Sequence, residues 1–115
     1  MISERQHTPT GVNDILKYEC KLKRSIEKSV ANVFETFCYQ EIQTPSFEYL
    51  DVYTTHTGGI DQSVVYKFFD DKNRILALRP DITTSIARVC ATKLREEPMP
   101  QRFFYIGNAY RAGEA

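Results

Sequence analysis

A predicted strand ends and a predicted helix begins within the segment Leu78-Arg79-Pro80-Asp81-Ile82-Thr83. Pro80 has no amide hydrogen to donate to a strand ladder and its φ is fixed, so the strand should end before it. Asp81 is a favourable N-cap, because its carboxylate can accept a hydrogen bond from a free amide of the first helical turn. Apolar residues at helical spacing then predict a helix from about Ile82 to Leu94, which the segment Glu97-Pro98-Met99-Pro100 terminates.

The sequence before this segment predicts a hairpin and a long helix. The hairpin joins Val64–Phe69 to Arg74–Leu78 through the turn residues Asp70-Asp71-Lys72-Asn73. Apolar residues three or four positions apart over Ile15–Phe37 predict one long amphipathic helix. A short strand over Tyr39–Pro45 should follow, with its proline at a strand end or a sheet edge.

The remaining stretches complete the predicted architecture. Residues 47–53 form an apolar cluster without a clear period, and 54–63 form a polar loop that contains glycines. Arg102–Ile106 is a strongly apolar strand, and Asn108–Arg111 should begin another. This order of elements predicts an α+β fold with a mixed, mainly antiparallel sheet flanked by helices. Because a final unpaired strand would leave an open sheet edge, we expect residues 1–115 to be the N-terminal part of a larger domain.

The composition excludes several classes of function. The chain has 15 Lys+Arg and 15 Asp+Glu, so it has no net charge that would attract nucleic acid as a whole. Lysines on the long helix alternate with glutamates, which is more typical of a solvated face than of a nucleic-acid contact. Hydrophobic residues make up 42% of the chain, which argues against disorder. No apolar run approaches the roughly 20 residues of a membrane span, and no signal-peptide core is present.

Cysteine and histidine patterns do not predict metal or nucleophilic chemistry. The cysteines are widely spaced and include no CxxC pair: Cys20, Cys38 and Cys90. We interpret them as reduced thiols of a cytoplasmic protein. His7 and His56 have no neighbouring ligand pattern, and Gly58-Gly59 lacks the context of a phosphate-binding loop. We therefore predict no metal site, no cofactor and no catalytic residue.

Asp81 and Thr83 are the first candidates for ligand binding. A carboxylate and a hydroxyl at the start of a helix can accept hydrogen bonds from the ammonium group of a free amino acid. The alternative is that Asp81 is only an N-cap and Arg79 only a salt-bridge partner. Spacing alone favours this structural alternative.

Arg111 is the second candidate for ligand binding. It follows Gly107 at the end of an apolar strand, and an arginine in such a place can bind a phosphate or a carboxylate with two parallel hydrogen bonds. The alternative is an arginine on the surface with no ligand. The chemistry of the sequence alone favours that alternative.

Several stretches together resemble one known family. They are Thr8–Leu16, the long helix followed by Tyr39–Glu48, Leu78–Arg88 and Gln101–Arg111. These stretches resemble the N-terminal part of the histidyl-tRNA synthetase-like catalytic domain, which has the class II aminoacyl-tRNA synthetase fold. The resemblance covers nearly the whole chain.

The resemblance implies roles for individual residues. It implies that Asp81 and Thr83 hold the amino group of histidine, and that the helix and strand leading to Pro45 form the dimer interface known as motif 1. Arg111 matches the motif 2 arginine, which binds the α-phosphate of ATP in synthetases. Synthetases have an acidic residue two positions after that arginine, whereas Glu114 lies three positions after Arg111. This departure argues against ATP binding of the synthetase kind.

Other details are more similar to the regulatory branch of the family than to the synthetases. Synthetases usually have Arg-Pro-Glu-Gly-Thr where this chain has Arg79-Pro80-Asp81-Ile82-Thr83, and they tend to have Gly-Pro where it has Gly107-Asn108. The resemblance thus implies a non-catalytic regulatory subunit with the short-form ATP phosphoribosyltransferase catalytic subunit as partner. That enzyme performs the first step of histidine biosynthesis, and histidine is its feedback effector. No tRNA partner is expected.

Two alternative functions remain open at this stage. One is a histidyl-tRNA synthetase fragment, whose parent protein would activate histidine with ATP. The other is a module for binding or dimerisation only.

Overall fold

The computed structural model describes residues 7–54 and 60–113. The elements in chain order are α1 (Tyr18–Thr36), β1 (Gln40–Glu41), β2 (Phe47–Tyr49), α2 (Asp51–Thr54), a 3₁₀ helix (Gln62–Val64), β3 (Lys67–Phe69), β4 (Ile75–Leu78), α3 (Thr83–Ala91) and β5 (Phe103–Phe104). His56, Gly58-Gly59 and Glu114 lie outside the described residues. None of the helices within the described residues is both long and apolar enough to cross a bilayer.

The predicted hairpin is confirmed. Strands β3 and β4 pair antiparallel, with Lys67 opposite Ala77 and Phe69 opposite Ile75. The carboxylate of Asp70 closes the turn, since its Oδ1 accepts hydrogen bonds from the amides of Lys72 and Arg74 at 2.9 and 2.8 Å. The hairpin begins later than predicted, because Gln62–Val64 forms a 3₁₀ helix before β3.

Strand β2 was not predicted as an element. It pairs antiparallel with β4, so β4 is the central strand of a three-stranded sheet in the order β2-β4-β3. Only three residues form β2, which is too short a run to display a period. The neighbouring residues form the single turn of helix α2 over Asp51–Thr54, which sequence periodicity also missed.

The second pairing joins β1 and β5 in parallel, with Gln40 opposite Phe103. The sheet content is therefore mixed and mainly antiparallel, and the predicted α+β class is confirmed. The strand predicted over Arg102–Ile106 is shorter than expected, since β5 covers only Phe103–Phe104. Within the described residues, 108–111 form no regular strand, although the amide of Tyr110 donates to the carbonyl of Arg79 at 2.9 Å.

Helix α3 contacts helix α2 and strand β2, and its first turn lies at the site. It covers Thr83–Ala91, which is shorter than the predicted helix. The Nε of Arg88 donates to the carboxylate of Glu48 on β2 at 2.9 Å. The hydroxyl of Tyr53 lies 3.3 Å from that of Ser85, which is fully buried on α3. Burial of Tyr53 raises its pKa, so this hydroxyl keeps its proton and can serve as a hydrogen-bond donor.

Helix α1 confirms the long amphipathic helix, which begins at Tyr18 rather than Ile15. No residue of α1 is buried. The ring of Phe34 stacks on that of Phe104 with centroids 5.1 Å apart, so the helix contacts β5 near its C-terminal end. The apolar side of α1 remains open to solvent, with Ile26 55% and Val33 58% exposed. The packing of the described residues leaves this side uncovered.

Candidate functional site

The main cavity of the described residues lies beside the start of α3. It is open to solvent and has a volume of about 990 Å³. Its walls come from three segments, residues 10–12, 80–82 and 105–113, together with Tyr66 before β3. The cavity therefore contains the end of the β4–α3 connection on one side and the chain that leaves β5 on the other.

Arg79 connects the segments around this cavity. Its amide donates to the carbonyl of Ser46, and its own carbonyl accepts from the amide of Tyr110, both at 2.9 Å. Its Nε donates to the carbonyl of Asn108 at 2.6 Å. Its Nη1 donates to the carbonyls of Thr44 and Pro45 at 2.9 and 3.3 Å. The sequence suggested a salt-bridge partner as one alternative for Arg79, but these contacts show a donor to main-chain carbonyls.

Asp81 lies in the cavity wall and also caps α3. Its Oδ1 accepts from the amide of Thr84 at 2.8 Å, and its Oδ2 accepts from the hydroxyl of Thr84 at 3.1 Å. An ionised carboxylate has about four acceptor positions, so these bonds leave others for a ligand in the cavity. The N-cap position itself is occupied by Ile82, which makes no side-chain capping bond, so the cap predicted at Asp81 lies one residue too early. Asp81 still supplies the acceptor for the amide of Thr84 in the first turn, and this capping role is compatible with ligand binding.

Thr83 lines a different cavity from Asp81, and Tyr105 is common to both cavities. Its hydroxyl lies 3.2 Å from the hydroxyl of Tyr105. Thr83 lines a smaller cavity of about 410 Å³, which also contains Cys90 and Phe103. Tyr105 lines both cavities and stands between them. The structure thus brings Asp81, but not Thr83, into the main cavity.

Arg111 joins Asp81 in the main cavity. Its Nε donates to the carbonyl of Pro80 at 3.0 Å, so its side chain bridges the two walls. Pro45 lies outside this cavity but close behind it, since its carbonyl accepts from the Arg79 guanidinium. Two of the sequence-predicted residues, Asp81 and Arg111, therefore share one cavity.

Sequence reasoning missed the aromatic part of the wall. Tyr66, Tyr105 and Tyr110 all line the cavity, although they come from different parts of the chain. Alternation along the predicted strand Arg102–Ile106 places Phe103 and Tyr105 on one side, which is the signal that could have identified Tyr105. Nothing local identifies Tyr66 or Tyr110, because only the tertiary fold brings them together.

The site combines an acidic group with a basic group at an open cavity. Asp81 offers acceptors for an ammonium group, and Arg111 offers donors for a carboxylate or a phosphate. A free amino acid carries both complementary charges. No cluster of His, Cys, Asp and Glu that could hold a metal ion occurs among the residues at 7–54 and 60–113.

Comparison with known proteins identifies the same kind of domain. A family model described as histidyl-tRNA synthetase matches residues 11–115. An ATP phosphoribosyltransferase regulatory subunit of Ruminiclostridium cellulolyticum is 48% identical over 94% of this chain and 26% of its own length. The corresponding protein of Clostridium acetobutylicum is 44% identical over all of this chain and 28% of its own length. The chain thus spans little more than a quarter of these curated relatives.

Solved structures agree with this relationship. A protein of Bacillus halodurans described as an ATP phosphoribosyltransferase regulatory subunit/histidyl-tRNA synthetase has a TM-score of 0.86 and 30% identity, over 99% of this chain and 30% of that one. The apo histidyl-tRNA synthetase of S. aureus has a TM-score of 0.79 and 30% identity, over 96% of this chain and 30% of that one. The predicted class II synthetase-like fold and the resemblance to the regulatory subunits are confirmed.

The close approach at Gly107 gives the first prediction. A Cβ at this position would lie 2.8 Å from Nη2 of Arg79 and 3.3 Å from Cδ1 of Ile82. The guanidinium cannot move away without losing its carbonyl bonds. Gly107→Ala should therefore lower the free energy of unfolding of the full-length protein by about 1–3 kcal/mol, measured by urea denaturation.

The matched control repeats Gly107→Ala in an Arg79→Met background. The methionine side chain is too short to reach the position of Nη2, so a Cβ at residue 107 would not meet it. Gly107→Ala should therefore lower the free energy of unfolding clearly less in this background. An equal cost in both backgrounds would show that the guanidinium does not set the requirement for glycine.

Proposed function

The chain belongs to the histidyl-tRNA synthetase family, and from this premise we propose that the full-length protein is a non-catalytic regulatory subunit of ATP phosphoribosyltransferase. In this role it binds the short-form catalytic subunit, supports the first step of histidine biosynthesis and transmits feedback by histidine. The observation that carries the proposal is the 44% to 48% identity to proteins named as such regulatory subunits, over 94% or more of this chain. Such a biosynthetic role implies a cytoplasmic protein.

Three local features support the regulatory role over histidine activation by a synthetase. Asp81 and Ile82 replace the Glu-Gly pair that is usual in synthetases, and Asn108 replaces the usual proline. The acidic residue after Arg111 is also one position later than in synthetases. Asp81 and Ile82 line the main cavity, and Asn108 lies between the lining residues Gly107 and Ala109, where an ATP-dependent reaction would require its contacts.

Histidine is the proposed ligand of the main cavity. Its ammonium group takes the acceptor positions of Asp81 that Thr84 leaves open, and Arg111 attracts its carboxylate. Thr83 contributes to this contact when its hydroxyl gives up its hydrogen bond with the hydroxyl of Tyr105 and bonds to the ligand instead. Arg111 therefore serves as an anion contact without any need for ATP. Feedback is then a coupling free energy between this cavity and the active site of the partner enzyme.

A homodimer through motif 1 is part of the proposal. The apolar side of α1 is exposed over its whole length, and this surface is formed by Leu22, Ile26, Val30, Val33 and Phe37. Exposed apolar surface of this extent favours association with another surface. The segment that ends at Pro45 follows this helix directly, so we place both at the contact with a second copy.

Reconstitution with the partner enzyme tests the central proposal. Adding the full-length protein to the short-form catalytic subunit should raise the rate at which ATP and phosphoribosyl pyrophosphate combine. Histidine should inhibit the mixture more strongly than it inhibits the catalytic subunit alone. A rate and a histidine sensitivity equal to those of the catalytic subunit alone would refute the role. Histidine-dependent exchange of pyrophosphate into ATP by the full-length protein would instead indicate a synthetase.

Asp81→Asn separates ligand binding from helix capping. Asparagine caps helices about as well as aspartate, so stability should change by less than about 0.5 kcal/mol. Loss of the charged acceptor should weaken histidine binding by about 10- to 100-fold, measured by isothermal titration calorimetry. Asp70→Asn is the control, because it removes the same charge from a carboxylate that also accepts main-chain amides, in the hairpin turn. Unchanged affinity in Asp81→Asn would leave Asp81 with its capping role alone.

Val33→Glu tests the dimer. A charge on the apolar side of α1 should weaken association of the full-length protein by at least about tenfold, measured by sedimentation equilibrium, because the charge would lose its water on association. Asn32→Glu is the control, since it adds the same charge at the adjacent exposed position, away from the apolar side. If both variants associate like the unmodified protein, the contact between copies lies elsewhere.

A further inference from the structure

The guanidinium of Arg79 is a buried cation without an acidic partner among the described residues. The side chain belongs to a residue that is only 8% exposed. The ion pairs within residues 7–54 and 60–113 involve Arg74, Arg88 and Arg95, and none involves Arg79. Burial of a charge is costly unless its hydrogen-bonding groups are satisfied. Here main-chain carbonyls provide that compensation, so the positions of those carbonyls and of the guanidinium depend on one another.

These carbonyls belong to two segments that no strand ladder joins at this point. Thr44 and Pro45 follow β1, and their carbonyls accept from Nη1 at 2.9 and 3.3 Å. Asn108 follows β5, and its carbonyl accepts from Nε at 2.6 Å. A planar guanidinium fixes the directions of its donors, whereas a lysine ammonium group does not. Arg79 therefore contacts both segments through donors whose relative directions are fixed.

Gly107 shows how closely the chain after β5 approaches this group. The position of a Cβ at Gly107 would fall 2.8 Å from Nη2, so any larger residue would push the chain away from the guanidinium. Tyr110 is held on the same side, because its amide donates to the carbonyl of Arg79. The wall that carries Arg111 is thus attached to the main chain and to the side chain of one residue.

We propose that Arg79 is the positioning residue of the main cavity. Asp81 stands two residues after Arg79 on one wall, and Arg111 stands three residues after Asn108 on the other wall. The guanidinium sets the separation of these two charged groups, and through it the affinity for a zwitterionic ligand. The test ligand is histidine, and in that respect the proposal rests on the proposed function.

Three variants of the full-length protein test this role. Arg79→Lys keeps a charge that can satisfy one or two carbonyls but cannot reproduce the planar geometry. Arg79→Met removes the donors and keeps an apolar side chain. Arg88→Met is the matched control, because it breaks the part-buried ion pair with Glu48 on β2, and neither residue lines the main cavity. All three should lower the free energy of unfolding, so stability alone does not separate them.

Two measurements distinguish positioning from general stability. In titrations with histidine, both Arg79 variants should raise the dissociation constant by about tenfold or more, whereas Arg88→Met should stay within about twofold. In hydrogen exchange, the amides of residues 108–112 should exchange faster in the Arg79 variants than in the unmodified protein. In Arg88→Met, the larger increase in exchange rate should occur at the amides of α3. Arg79→Lys should keep more of the free energy of unfolding than Arg79→Met, but it should not keep the affinity for histidine.

The outcomes separate the two proposals. If Arg79→Lys and Arg79→Met bind histidine like the unmodified protein, with residues 108–112 equally protected, Arg79 is not a positioning residue. If Arg88→Met loses the same affinity as the Arg79 variants, the effect is one of general stability, and the proposal is again wrong. If the unmodified protein does not bind histidine, the proposed ligand is wrong. In that case faster exchange at 108–112 in the Arg79 variants alone still supports the positioning role, and unchanged exchange overturns it.

Discussion

The contact between one buried guanidinium and the carbonyls around it is the constraint on which the site depends. Among the described residues, the ladder between the segments of β1 and β5 extends past the C-terminal ends of these two-residue strands only to the bond from the amide of Ile42 to the carbonyl of Phe104. Arg79 supplies the missing connection through Thr44, Pro45 and Asn108. A buried cation without hydrogen-bond acceptors would cost several kcal/mol. Moving these segments away from the guanidinium is therefore unfavourable. The cavity wall is therefore defined by a polar contact, while apolar packing stabilises the sheet behind it.

Under the proposed function, Asp81 serves both the fold and the ligand. Its bonds to Thr84 stabilise the first turn of α3, and they also hold the carboxylate in one orientation. A carboxylate whose direction is already fixed loses less freedom when a ligand binds, which favours affinity. The capping contact of this residue is thus compatible with the proposed binding contact, because it fixes the direction of the carboxylate before a ligand arrives.

Local patterns predicted the elements whose causes are local. The period of α1, the turn of the hairpin and the cap at Asp81 all depend on residues within a few positions of one another. Contacts between distant segments were not predictable in the same way. The parallel pairing of β1 with β5 and the position of Tyr105 between Thr83 and Asp81 arise only from the tertiary fold. For Arg79, the sequence indicated the residue but not its carbonyl partners, because these are more than 25 positions away in the chain.

The connectivity of Arg79 also bears on regulation under the proposed function. Pro45 belongs to the segment proposed to meet a second copy, and Asn108 lies between Gly107 and Ala109, which line the proposed histidine cavity. The same guanidinium donates to both carbonyls, at 3.3 and 2.6 Å. A ligand that shifts one segment must therefore stretch or relax the contact with the other. Because coupling between binding events is reciprocal, tighter association of the copies would change histidine affinity by the same factor by which histidine changes association.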